Sequence, residues 1–215
     1  MIANNVQLSN GSNTFGDGLY LLGLQNFTIT GNQIYAADWT IYMFDANDDY
    51  PVANPSLIAN NFFASETDHA GRFDDFQSVN MYHNSFYSGA LTGTYFNDLD
   101  TVDIRNNIFY ALQSDAIEFL DATNTIPGLT FDYNLLFSAG GGTLVDDGVN
   151  LFTDLASWQL NNPAINVNSI EGDPDFYSAT DLHIAGTLPN DVGTPIPGIT
   201  VDIDGETRSV TTPDI

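Results

Sequence analysis

The sequence predicts an all-β chain wound as a right-handed parallel β-helix of about six coils, closed by an irregular C-terminal cap. A recurring frame is the first observation behind this: an apolar residue, two variable residues, an asparagine, one residue, then another apolar residue. It reads most clearly in Thr101 to Leu112, TVDIRNNIFYAL, and places asparagines at Asn5, Asn32, Asn61, Asn84, Asn107 and Asn134. A unit this short cannot bury its own apolar face and must stack on copies of itself. The second observation is alternation. Three residues before the asparagines stand Ile2, Ile29, Ile58, Met81, Ile104 and Phe131, and two after them Ile34, Phe63, Phe86, Phe109 and Leu136, with Gln7 the exception. That is the pattern of strands with one buried face. The third is a further column twelve residues after the asparagine, Phe44, Phe73, Phe96 and Phe119, which predicts a second strand in each coil.

Each element follows from this frame. Stacked side-chain amides at a bend can bond to one another and to turn backbone groups that would otherwise be buried unpaired, so the asparagines are expected to form a structural ladder. A β-sandwich with similar strand spacing would not demand the same residue at every bend. Parallel crossovers coil right-handed. Residues 1–137 are assigned to the coils and 138–215 to an irregular coil and cap segment of the same domain. The rhythm stops there at the glycine-rich SAGGGT, a short helical stretch is expected in LFTDLASWQL, and seven of the nine prolines lie at Pro127 or later. The stretches 45–57 and 64–72 carry turn residues and charge and are expected to emerge as loops.

Composition narrows the function. The chain of 215 residues has 28 acidic side chains, three arginines (Arg72, Arg105, Arg208) and no lysine, for a formal net charge of −25. Nucleic acid and anionic membranes both require cationic side chains, so neither is an expected partner. Divalent cations or a screening salty medium fit this balance better. Apolar and aromatic content is too high for a disordered acidic tail. There is no cysteine, hence no disulfide and no thiolate metal site. No apolar run reaches membrane-spanning length. The sequence starts inside a repeat, which suggests a part of a longer polypeptide.

Three groups of residues carry chemistry, each with a plainer alternative. Asp75, Asp98 and Asp121 recur fourteen residues after the asparagine. Stacked carboxylates without a cationic partner suit Ca²⁺, with Asp74 and Asp45 as further ligands; the alternative is turn chemistry, natural for aspartate. Tyr35, Tyr87, Tyr110 and Phe137 recur three residues after it and face outward by alternation, with Tyr82 placed near them. Such a row can stack on sugar rings, or it can be covered by another part of the chain. The stretch Asp68, His69 and Arg72, followed by Asp74 and Asp75, gathers an imidazole, a guanidinium and carboxylates. With Arg105 it makes the candidate catalytic set (Asp74, Asp75, Arg72, His69, Arg105) of a lyase or hydrolase, against simple ion pairing of Arg72 with Asp68 or Asp74. His83 is read as a bend residue.

The coils resemble the pectate-lyase-like right-handed β-helix superfamily. The tail, SIEGDPDFYSATDLHIAG followed by PGITVDIDGETRSVTTPDI, is similar to the ending of β-helix domains in secreted bacterial surface proteins. This resemblance implies export, a cell-surface or extracellular setting and contact with carbohydrate; it brings no catalytic set, because enzymes and adhesive or stalk modules share the fold. The expectation is therefore a structural or adhesive module that binds calcium and a polysaccharide or cell-surface glycan. A polysaccharide-degrading lyase or glycoside hydrolase is the alternative.

Overall fold

The computed structural model describes residues 1–8, 16–47 and 55–215. It is a parallel β-solenoid of about five turns, bounded by the six asparagine bends. One coil runs from strand Gly71–Tyr82 through a corner at His83 into strand Ser85–Ser88, then turns into strand Thr94–Arg105. The long strands bend inside themselves. Asp75 and Ser78 have φ of 52° and 51°, and Asp98 and Thr101 repeat this one coil later at 50° and 52°. The ladder skips Asp75 and Asp98, pairing Asn97 with Asp74 and Leu99 with Phe76. Each coil thus has three short strands and three corners. The strands collect into an eleven-stranded sheet that carries two of the three faces and a seven-stranded sheet that carries the third.

Register stacks like residues. Ile2, Ile29, Ile58, Met81, Ile104 and Phe131 form one inward file, and Ile34, Phe63, Phe86, Phe109 and Leu136 another. A third inward file is Leu21, Met43, Phe73, Phe96 and Phe119. Phe44 does not belong to it. The connection after Asn32 is one residue shorter than its successors, so Met43 takes the inward place and Phe44 pairs with Asp74, 40% exposed. Phe73, Phe96 and Phe119 stack at 5.4 and 5.2 Å between centroids, and the core is one continuous column of such rings.

The asparagines close the bend. Asn61 Nδ2 donates to Asn84 Oδ1 at 2.8 Å and Asn84 Nδ2 to Asn107 Oδ1 at 2.9 Å, while each backbone N–H reaches the same oxygen of the next coil. The other amide hydrogens go to strand carbonyls such as Ile58 O and Met81 O. From Asn32 to Asn134 the side chains are at most 1% exposed. The ladder begins at Asn5 and ends where Asn134 N–H meets Ser169 Oγ. Just before each ladder residue the chain turns through the left-handed region, at Asn4, Gly31, Asn60, His83, Asn106 and Tyr133. Asparagine and glycine tolerate that conformation best.

His83 is the odd member of this corner file. It is 5% exposed, with Nε2 facing Asn106 Nδ2 at 3.0 Å. Burial, aided by the charge of Arg208, lowers its pKa to about 3, so it is neutral when folded. Its contribution to stability is therefore complete above the ordinary histidine pKa of 6.5 and is lost as pH falls toward 3. His83→Asn keeps a side chain suited to the left-handed corner and removes the titration. The difference in melting temperature between wild type and H83N is expected to shift in favour of the variant as pH drops from 7 to 4; a difference independent of pH would refute the buried neutral imidazole.

The parallel pairing continues past residue 137. Val145–Asp146 adds to Ile117–Phe119, and Ile170–Glu171 adds to Leu135–Ser138. Helix Leu155–Asn161 then lays Trp158, fully buried, across the open end of the ring column. Asp154 caps the helix by accepting from Ser157 N–H at 2.8 Å. The rest of the tail turns back along the corner file. Thr194 bonds Asn106, Asn60 Nδ2 donates to Val201 O, and Arg208 Nη2 donates to Asn60 Oδ1. The tail is thus an end cap followed by a lateral strap, and only its first part covers the stack edge. Among the described residues no helix is long and apolar enough to cross a membrane.

Candidate functional site: an aromatic strip on the outer face

Two outward files run side by side across the third strands. One is Tyr20, Tyr42, Arg72, Tyr95, Glu118 and Asp146, set by the strand register. The other precedes those strands and follows the same coil-to-coil offset: Asp17, Trp39, His69, Thr92 and Asp115. The rings interlock. Tyr20 meets Tyr42 edge-on at 5.0 Å, and Trp39 stacks on Tyr42 at 5.3 Å and lies 4.9 Å from His69. The Arg72 guanidinium sits 4.6 Å from the Tyr95 ring centre, 5.1 Å from Trp39 and 5.2 Å from Tyr42. A cation so placed is held by several ring faces at once.

Arg72 Nε donates to Asp74 Oδ2 at 2.6 Å, two residues along and on the same face. Burial opposes its charge, but the hydrogen bond and charge of Asp74 more than offset this, and its pKa is raised. His69 Nδ1 lies 3.0 Å from Thr92 O, and burial lowers the imidazole's pKa. At one end of the strip Thr92 Oγ1 donates to Glu118 Oε2 at 3.3 Å. Beside it burial and the charges of Glu118 and Asp146 raise Asp115 to about 6. At the other end burial and Asp68 raise Asp38, and burial and Asp38 raise Asp17.

The five candidate catalytic residues do not converge. Arg72, His69 and Asp74 share the strip. Asp75 sits at the left-handed corner beyond it, and Arg105 lies on the next face, bonded to Asp103 and stacked 5.4 Å over Tyr82. The stretch 64–72 is a five-residue connection, 66–70, between strands Phe62–Ser65 and Gly71–Tyr82. Of the stretch 45–57, residues 48–54 lie outside the described ones.

The file Asp75, Asp98 and Asp121 follows the corner. Asp75 and Asp98 take left-handed φ, and Asp98 N–H donates to Asp121 Oδ2 at 3.0 Å. The left-handed φ is turn chemistry, and the hydrogen bond ties one coil's corner to the next. Among the described residues no group of three or more acidic, histidine or cysteine side chains is arranged to hold a metal ion, and no ion enters the function proposed below.

The tyrosines divide between two faces. Tyr35, Tyr87 and Tyr110 share one outward file with Ala64 and Phe137. Tyr87 stacks on Tyr110 at 4.9 Å, and Phe176 of the tail leans over both rings at 6.5 and 5.9 Å. Burial raises both phenols, Tyr110 to about 12. Tyr82 does not join them. The corner at His83 puts it on the other sheet, 6% exposed, where its hydroxyl donates to Asp103 at 2.6 Å and Ile196 packs on it.

Sequence reasoning missed Tyr20, Trp39, Tyr42, Tyr95, Asp115 and Glu118. The signal was present: Arg72, Tyr95 and Glu118 each stand eleven residues after a ladder asparagine. A file of mixed residue types does not announce itself as the asparagine column does.

The family model described as the right-handed beta helix region matches residues 2–155. The chain belongs to that family. No curated protein matches it, and no solved structure does.

Proposed function

We propose that this chain is an extracellular saccharide-binding β-helix module, of the kind borne by bacterial surface proteins, with the aromatic strip as its binding surface. The observation that carries this reading is the clustering of Trp39, Tyr42 and Tyr95 around the Arg72 guanidinium on an outer sheet face. Sugar rings present faces of C–H bonds that stack on aromatic rings, and their hydroxyls find the polar edges between. Successive strands stand roughly 4.8 Å apart, close to the length of one pyranose unit, so a chain along the solenoid axis meets one outward residue per step. Arg72 and Asp74 occupy each other, which suits a role in shaping the platform rather than in attacking a substrate.

The placement of this surface moves the expected sugar contacts from Tyr35, Tyr87 and Tyr110 to the strip, because Phe176 already leans on Tyr87 and Tyr110. The extracellular setting rests on the resemblance of the tail. The test is a panel of acidic, neutral and basic polysaccharides scored for retention and for chain cleavage. Retention without cleavage is expected. Trp39→Ala with Tyr95→Ala should weaken it by roughly 5- to 150-fold, from about 0.5–1.5 kcal/mol of stacking per ring. Retention unchanged by this double substitution, or cleavage that Asp74→Asn abolishes, would overturn the reading.

A further inference from the structure

The charges along the strip speak to the kind of saccharide. We infer that the strip selects an amine-bearing saccharide chain, one carrying protonated 2-amino groups, over neutral and uronate chains; this rests on the saccharide-binding reading above. Both ends of the strip are acidic. Glu118 is the next residue in the Tyr95 file, Asp146 the one after, and Asp115 lies in the neighbouring file. Asp17, Asp38 and Asp68 stand about Trp39 at the far end, near enough for their charges to act on one another. The cation between them, Arg72, is already neutralised by Asp74. Asp74, 3% exposed, keeps Oδ1 buried without a hydrogen-bond partner among the described residues.

The geometry joins these charges to the platform. A sugar stacked on Tyr95 carries its ring substituents within one strand step of Glu118, whose carboxylate Thr92 orients. An ammonium there meets the carboxylate directly and the ring rim by cation–π attraction. It also relieves the mutual repulsion that adds to burial in raising Asp115, Asp38 and Asp17. A uronate brings its own carboxylate into the same negative field and loses by like-charge repulsion. The acetylated form of the same sugar keeps the ring faces but forfeits the charge.

A protein of net charge −25 attracts polycations anywhere on its surface, so the test must hold charge constant. Binding of defined hexamers of glucosamine, N-acetylglucosamine and galacturonate is measured by titration calorimetry at mildly acidic pH. The glucosamine hexamer is expected to bind at least about tenfold tighter than the acetylated one, with no measurable binding of galacturonate. Glu118→Gln should remove most of that preference, weakening the glucosamine hexamer far more than the acetylated one. Trp39→Ala with Tyr95→Ala, which changes no charge, should weaken the glucosamine hexamer by the same roughly 5- to 150-fold. Equal binding of the two amino-sugar hexamers, or a preference for galacturonate, overturns the selectivity and leaves saccharide binding standing. Glucosamine binding unchanged by loss of both rings is diffuse polycation attraction and overturns the proposal. Failure of every saccharide, there and in the wider panel, overturns both readings together.

Discussion

Asn84→Ala is expected to destabilise the protein by about 3 kcal/mol, because the substitution strands buried groups in two coils at once. Asn84 Oδ1 accepts from both the backbone N–H and the Nδ2 of Asn61, and its Nδ2 donates to Ile58 O and Asn107 Oδ1. Asn61 Nδ2 retains the carbonyls of Ile29 and Ala59, but Asn61 N–H is left with nothing. The expected fall in melting temperature is roughly 6–12 °C for a chain of this size. Asn84→Asp separates packing from hydrogen bonding. A carboxylate still accepts from Asn61, yet it sets an oxygen against Ile58 O and Asn107 Oδ1 in a site 1% exposed, so it should cost more than alanine. Asn5→Ala is the control. Asn5 is exposed at the start of the ladder, and its loss should cost under about 1 kcal/mol. Equal effects for Asn84→Ala and Asn5→Ala would mean that the ladder is not a structural spine.

The ladder could be read from the sequence because its chemistry forces one residue type at one place in every coil. Only a side chain with both an acceptor and a donor can serve the coil on either side. Inward files were readable for a weaker reason, since any large apolar residue serves, and this tolerance hid the slip at Phe44. Four phenylalanines at one spacing looked like a column, but burial depends on register, and a connection one residue shorter handed the place to Met43. The grouping of Tyr82 with Tyr87 failed because a single left-handed residue, His83, turns the chain onto another face between them. The strip was partly legible: Asp68, His69, Arg72 and Asp74 stood out as a concentration of charge. Its rings did not, because Tyr42, Arg72, Tyr95 and Glu118 share a position and no chemistry. The strap was beyond reach for a different reason. Its anchors, Asn60 with Arg208 and Asn106 with Thr194, are 148 and 88 residues apart, and no periodicity links them.

Trp158→Ala should cost still more, about 3–5 kcal/mol, the range for removing a large aromatic side chain from a core. A solenoid leaves its last coil with an apolar end and unpaired strand edges, and both must be covered. Trp158 covers the apolar end. It is fully buried, 5.4 Å from Phe131 and 6.2 Å from Phe119, the last rings of two inward files. Helix Leu155–Asn161 is too short to stand alone; Asp154 at its cap and Glu171, which accepts from Leu155 N–H at 2.8 Å, hold it in place. Losing the indole therefore opens a cavity and loosens the cap as one event, and light scattering on heating should show earlier association through the exposed end. Trp158→Phe makes the contrast. The indole Nε1 is buried without a hydrogen-bond partner among the described residues, so phenylalanine gives up part of the volume and also removes an unpaired donor. Its net cost should stay under about 1.5 kcal/mol. Two equally large losses would show that the indole nitrogen has a partner after all; two small ones would show that the end of the stack is closed by something other than this ring.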